Sequence, residues 1–151
     1  MATKKIILLL TDFTKIADRA AEVALKLAVG THADLLIYNS IISIETSVVI
    51  VDRIYASEEI NKKTLKSIAS LKLLANQLQS KLSLSQQAKI NIMVKEGLGS
   101  PVETILNLVA KNNIWMVVMG NHIGGNTSNW YFDSNVPTVM NNCGCPLLLV
   151  P

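Results

Sequence analysis

The chain alternates between largely apolar runs and longer stretches in which apolar residues recur at helical spacing. Ile6 to Leu10, Leu35 to Ile42 and Ile114 to Met119 are such runs. Runs of this kind are typical of strands that are covered on both faces of a parallel sheet. Shorter candidates at Ala88 to Val94 and at Pro146 to Val150 bring the number of predicted strands to five.

Four predicted helices separate these strands. The first covers Ile16 to Ala28, with Gly30 as its C-cap, and the second runs from Ser57 to Leu82. Ser100 and Pro101 suit the N-cap and first position of the third helix, because proline has no N–H to leave unpaired there. The fourth helix is expected from Ser134 to Asn142.

This strict alternation predicts a single α/β domain over residues 1–151. Its core is an open, parallel, five-stranded sheet of Rossmann-like type with helices on both faces. Because Ile6 to Leu10 and Ile114 to Met119 lack polar alternation, we expect them to be central neighbours. A ligand would bind beyond the C-terminal strand ends, which include Thr11 and Asp12 and the loop that begins at Gly120.

Composition narrows the class of protein further. Half of the 151 residues are hydrophobic and 17% are charged, which excludes intrinsic disorder. No apolar run approaches the roughly 20 residues of a membrane-spanning helix, and the N-terminus lacks the pattern of a signal peptide. The net charge of +3 comes without a basic patch interleaved with aromatics. The sequence therefore predicts a cytoplasmic protein that binds neither membrane nor nucleic acid.

Four short segments have a familiar form. Ile6 to Thr14 contains a strand followed by T-D-F-T, and Glu96 to Pro101 contains G-x-P. Trp115 to His122 contains V-M-G-x-H, and Cys145 to Pro151 reads C-P-L-L-L-V-P. In their order and spacing these segments resemble the universal stress protein family over nearly the whole chain. The resemblance implies a fold like that of the adenine nucleotide alpha hydrolases and a role in the stress response.

In the nucleotide-binding branch of that family, a glycine-rich loop wraps the triphosphate of ATP, which is bound with magnesium. Glycines suit such a loop because the backbone N–H groups can approach the phosphate oxygens closely. The resemblance implies that any nucleotide site would use Thr11, Asp12, Gly99, Gly120, Asn121, His122, Gly124 and Ser134.

The family pattern is G-x-x-G, a spacer, and then G-S or G-T, and this chain departs from it. With Gly120 as the first glycine, Ile123 and Asp133 occupy the positions of the other two. Asp133 would place a carboxylate beside a polyanion, at a cost of about 4 kcal/mol for one like-charge pair at ~4 Å before screening. We therefore predict a binding or interaction module that does not bind ATP and has no cofactor. The alternative is an ATP-gated switch in which the loop slides to use Gly124 and Gly125.

The other polar residues favour structural interpretations. Asp12 suits an Asx turn or N-cap, and His122 suits a loop histidine bonded to backbone. Trp130 to Phe132 is expected to fill the pocket, and Cys143 and Cys145 are expected to be buried, reduced thiols. No Ser-His-Asp order, carboxylate pair or zinc motif appears, so we predict that the protein is not an enzyme.

The C-terminal quarter of the chain points to self-association. After Lys111 the only charged residue is Asp133, so this part must be covered by the core or by a partner. The last strand would lie at a sheet edge with unpaired backbone groups. We expect a homodimer in which two copies of this strand pair antiparallel through Leu147, Leu148, Leu149 and Val150, as the family resemblance also implies. An unknown protein partner is a further expectation.

Overall fold

The computed structural model describes residues 3–41, 53–98, 101–121 and 141–151. In these ranges five strands form one sheet: β1 (Ile6–Leu10), β2 (Asp34–Ile41), β3 (Ile92–Leu98), β4 (Ile114–Gly120) and β5 (Leu147–Val150). The helices are α1 (Lys15–Thr31), α2 (Arg53–Ser80), α3 (Leu84–Lys89) and α4 (Pro101–Lys111), and residues 141–142 are also helical. Within the described ranges no helix has the length and hydropathy to cross a bilayer.

The strand order is β3-β2-β1-β4-β5, and every neighbouring pair is parallel. The predicted fold class and the central pairing of β1 with β4 are therefore confirmed. Leaving β1, the chain moves outward on one side to β2 and β3, and then crosses to the other side for β4 and β5. The boundary between β1 and β4 is thus the topological switch point, where parallel α/β sheets open a crevice.

Two hydrophobic layers cover the sheet. On one face, Ile7 and Leu9 of β1 pack with the alanines of α1 and with Leu71 and Leu78 of α2. On the other face, the alternate residues Leu8 and Leu10 pack with α4 and with Cys143. Small side chains at Ala20, Ala21, Ala24 and Ala28 are all at most 1% exposed, so they let α1 lie close to the strands.

The third strand lies four residues later than predicted, at Ile92–Leu98 instead of Ala88 to Val94. The polar segment before it forms α3, whose capping box joins Ser83 and Gln86 reciprocally. The strand also includes Gly97, which the predicted bounds leave outside it. A Cβ on Gly97 would lie 1.9 Å from the hydroxyl of Tyr38, so the aromatic ring occupies the space that a side chain would need.

Two helix ends also differ from the prediction. Helix α1 continues through Gly30, and His32, at φ 56°, is the left-handed C-cap whose N–H donates to the carbonyl of Ala28. Helix α2 begins at Arg53, four residues before the predicted Ser57, and ends at Ser80. The predicted helix from Ser134 to Asn142 lies largely outside the described residues.

Candidate functional site

The carboxyl edge of the sheet brings two predicted site segments together. Leu10 of β1 pairs with Met119 of β4, so the residues that come next in each chain segment lie side by side at the end of the sheet. These are Thr11 and Asp12 on one side and Gly120 and Asn121 on the other. Four of the predicted nucleotide-site residues therefore converge on the crevice at the switch point.

Thr11 continues the sheet beyond the end of β1. Its N–H donates to the carbonyl of Tyr38 at 3.0 Å, and the residue is 2% exposed. Its Oγ1 accepts from the N–H of Phe13 at 3.0 Å. The threonine hydroxyl thereby fixes the turn that leads into α1.

The side chain of Asp12 holds the same turn from the other side. Its Oδ1 accepts from the N–H of Thr14 at 3.1 Å and from the hydroxyl of Thr14 at 2.6 Å. Thr14 is in turn the N-cap of α1, where its Oγ1 accepts from the N–H of Ala17 at 3.3 Å. Asp12 therefore forms an Asx turn that positions the N-cap, which agrees with one of its two structural interpretations; the N-cap itself is Thr14 and not Asp12.

Phe13 adopts a left-handed backbone conformation between these two polar residues, with φ at 63°. That conformation costs a non-glycine residue about 1–2 kcal/mol. The hydrogen bonds of Thr11 and Asp12 on either side of it offset this cost. Phe13 as a whole is 37% exposed.

A partly buried polar bridge links the end of β1 to α2. The side-chain amide of Asn39 donates to the carbonyl of Thr11 at 2.7 Å, and its Oδ1 accepts from the hydroxyl of Ser67 at 2.8 Å. Sequence reasoning missed both residues. The available signals were an amide within the largely apolar β2 and a hydroxyl on the apolar stripe of α2, where Ser67 is 5% exposed.

Gly120 is required by packing at the end of β4. A Cβ at this position would lie 2.7 Å from Cγ2 of Ile16 and 3.2 Å from its carbonyl group. A glycine here lets the first turn of α1 approach the strand. Asn121 extends the β4–β5 ladder, because its N–H donates to the carbonyl of Val150 at 2.7 Å.

The other predicted nucleotide contacts, Gly99, His122, Gly124 and Ser134, lie outside the described residues. The same holds for Ile123, Gly125, Asp133 and the aromatic residues 130–132. In the described part of the chain, no group of three or more His, Cys, Asp and Glu residues could hold a metal ion. Both cysteines are free thiols, with Cys143 buried and Cys145 partly exposed.

A separate groove of about 490 Å³ lies between α1 and the junction of α2 with α3. Its lining combines apolar and charged side chains, namely Glu22, Leu25, Lys26, Val29, Gly30, Lys81, Leu82 and Gln86. Lys81 and Glu22 form an exposed ion pair there at 3.0 Å. The groove shares no residue with the predicted nucleotide site.

A known protein family and several solved structures are similar to this chain. The model of the universal stress protein family matches residues 4–151. A search of curated proteins finds no match. Among solved structures, universal stress protein UspA from Lactobacillus plantarum is 17% identical with a TM-score of 0.79, and all of both chains is covered.

Two further neighbours were solved with a nucleotide. A universal stress protein from Archaeoglobus fulgidus in complex with dAMP is 13% identical over the full length of both chains, with a TM-score of 0.60. A family protein from Arabidopsis thaliana with AMP bound is 15% identical, with a TM-score of 0.62, and 98% of this chain and 91% of that one are covered. At these identities the likeness concerns the fold.

Proposed function

The chain belongs to the universal stress protein family, and from that premise we propose that it is a non-catalytic, cytosolic binding module that does not bind ATP. The observation that carries the proposal is the structural use of the residues this chain shares with the nucleotide-binding branch. Asp12 accepts two hydrogen bonds from Thr14, the N-cap of α1, and Gly120 leaves space for the side chain of Ile16. Both residues are therefore needed by the fold even without a nucleotide.

The loop sequence supports the same proposal. Ile123 and Asp133 stand where the ATP-binding pattern has glycines. A β-branched residue hinders close approach of the backbone to phosphate, and a carboxylate repels it. The segment from Asn112 to Pro151 contains no Lys or Arg to offset that repulsion.

Titration calorimetry with ATP and magnesium tests this proposal directly. We expect no binding by the unmodified protein at micromolar ATP. The double variant Ile123→Gly with Asp133→Gly should gain affinity, because both obstacles are removed. Its matched control is Asn126→Gly, which adds a loop glycine outside the pattern and should gain none. Micromolar binding of ATP by the unmodified protein would contradict the proposal.

A second candidate is a nucleotide-gated switch, which the crevice itself favours. Thr11, Asp12, Gly120 and Asn121 meet at the switch point, and two structural neighbours were solved with AMP or dAMP. A monophosphate makes fewer demands on the loop than a triphosphate does. Thermal unfolding with AMP separates the candidates, since a ligand at 100 times its Kd stabilises the fold by about 2.7 kcal/mol.

The proposed module acts as a homodimer through β5. Support comes from the position of this strand at a sheet edge and from the absence of any charge in Leu147–Val150. An exposed edge without charges pairs readily with another strand. Antiparallel pairing of two copies would cover Leu147, Leu148 and Leu149, which are only half-buried in the single chain.

A further inference from the structure

The segment just before β5 contains both cysteines of the chain, Cys143 and Cys145, on either side of one glycine. Gly144 has φ at 71°, and a Cβ there would meet no atom within 4 Å. The backbone conformation, not lack of space, therefore makes glycine the suitable residue at this position. This turn brings the two thiols together, with Sγ atoms 3.3 Å apart.

The thiols are close enough to join with little movement. A disulfide bond is about 2.0 Å long, so the sulfurs need to approach by about 1.3 Å. The surrounding structure limits where the segment can move. Cys143 is 3% exposed within the hydrophobic layer of α4, and the carbonyl of Pro146 accepts from the N–H of Val117 at 2.9 Å.

The geometry points to an oxidation site: we propose that Cys143 and Cys145 form a reversible intramolecular disulfide across Gly144 when the protein meets a peroxide. Cys145 is the partly exposed thiol and therefore the first to react. With hydrogen peroxide, the Cys145 thiol loses its proton and the thiolate attacks one peroxide oxygen. The O–O bond breaks and the leaving hydroxide takes up that proton, so a sulfenic acid and one water result. Cys143 then attacks the sulfenic sulfur, the S–S bond forms, and a second water leaves. The two thiols together lose two electrons and peroxide gains them.

The environment makes this reaction slow at neutral pH. Burial, followed by the hydrogen bond with Cys143, raises the pKa of Cys145 to about 12. Because the thiolate is the reactive form and little of it is present at neutral pH, the two thiols oxidise slowly there. Below that pKa the thiolate fraction rises tenfold for each pH unit. The oxidation rate should therefore rise about tenfold per unit between pH 7 and 9.

Intact-mass spectrometry of the full chain treated with hydrogen peroxide tests the proposal. We expect a product that has lost two hydrogen atoms, has no free thiol, and regains both thiols with dithiothreitol. Because the chain has only two cysteines, this product can only be the Cys143–Cys145 bridge when it runs as a single chain on a non-reducing gel. Products that gain oxygen at both sulfurs, or chains linked to each other, would overturn the proposal.

Three further samples sharpen the experiment. Cys143→Ser should leave Cys145 to stop at a sulfenic acid, which dimedone traps, whereas Cys145→Ser should react much more slowly because Cys143 is buried. Equal trapping in the two variants would contradict the proposed order of attack. The urea-unfolded chain serves as the reference. If it forms the bridge and the folded protein keeps both thiols at pH 9, the folded geometry does not support the reaction and the proposal fails.

Discussion

The two strands at the edges of the sheet differ in what they offer a second chain. Strand β3 has seven residues and carries Lys95 and Glu96, and Met93, Lys95 and Leu98 are exposed along it. Strand β5 has four residues, no charge, and three leucines that are half-buried. Charges on an edge discourage strand pairing. Among the described residues, we call β3 the protected edge and the uncharged β5 the open edge. The contrast indicates on which side the molecule can assemble.

The largest expected effect on assembly comes from placing a charge on the open edge. Leu148→Lys should raise the dissociation constant of the dimer at least tenfold, which corresponds to about 1.4 kcal/mol. The reason is that antiparallel pairing of β5 would bring two lysines close together at the two-fold axis. Light scattering at tens of micromolar protein measures the change, and circular dichroism should show that helix content is retained.

The matched control places the same charge on the protected edge. Met93→Lys introduces a lysine on β3 at a position that is already exposed, so the dimer should be unaffected. If the unmodified protein is a monomer, or if both variants weaken the dimer equally, the assignment of the open edge is wrong.

The next effect concerns the stability of the protected edge. Gly97→Ala forces a Cβ to within 1.9 Å of the Tyr38 hydroxyl, and such overpacking costs about 1–3 kcal/mol. Urea unfolding should report this loss without a change in assembly. The control is Gly30→Ala, where a Cβ meets nothing within 4 Å and the helix should gain about 0.5–1 kcal/mol.

The hydroxyl of Tyr38 offers a way to test whether its clash with a Cβ at position 97 causes the loss of stability in Gly97→Ala. It is buried and has no hydrogen-bond partner among the described residues. Adding Tyr38→Phe to Gly97→Ala removes the nearest atom and leaves Cζ at 2.8 Å, so part of the lost stability should return. A double variant no more stable than Gly97→Ala alone would show that the clash lies elsewhere.

The smallest expected effect concerns the loss of stability in acid that arises from Asp34, which holds the segment just before β3. Asp34, 8% exposed, accepts from the N–H of Asn91 at 2.9 Å and forms an ion pair with Lys4. Burial acts to raise the pKa of Asp34, but the bonds from Lys4 and Asn91 outweigh it, so the pKa lies below its usual range. The contribution of ionised Asp34 to the free energy of unfolding is therefore complete above about pH 4, and it is lost as the pH falls through the lowered pKa.

Asp34→Asn should remove this part of the acid dependence and cost about 1 kcal/mol at pH 7. Urea unfolding between pH 7 and 2 measures both quantities. Glu22→Gln is the control, because its ion pair with Lys81 is exposed and exposed pairs contribute little. An acid profile that is unchanged in Asp34→Asn would show that another carboxylate governs this range.

The sequence predicted the centre of the fold better than its margin. Unbroken apolar runs located β1 and β4 to within a residue, since burial on both faces leaves a clear pattern. The predicted start of β3 is wrong because Ser83 and Gln86 cap a short helix, α3, in front of the strand. The predicted end is wrong because Gly97 lies inside the strand, where Tyr38 occupies the space of a side chain. Contact between Gly97 and Tyr38 joins residues far apart in the chain, which no local pattern shows.

The candidate site divides in the same way. The convergence of Thr11 and Asp12 with Gly120 and Asn121 followed from strand order and could be anticipated. The bridge from Thr11 through Asn39 to Ser67 could not, because each bond joins residues 28 positions apart. The group that accepts from Asn39 is a backbone carbonyl, which every residue has, so the sequence does not indicate which one is used.

The contact between Tyr38 and Gly97 also limits which substitutions these two positions can accept during evolution. Since the ring occupies the place of a side chain on the neighbouring strand, the two positions share one fixed volume. Substitutions there should be paired, a larger residue at 97 being accepted only after a smaller one has appeared at 38. In an alignment of close relatives, columns 38 and 97 should therefore co-vary, with glycine opposite an aromatic residue and alanine or serine opposite a shorter one.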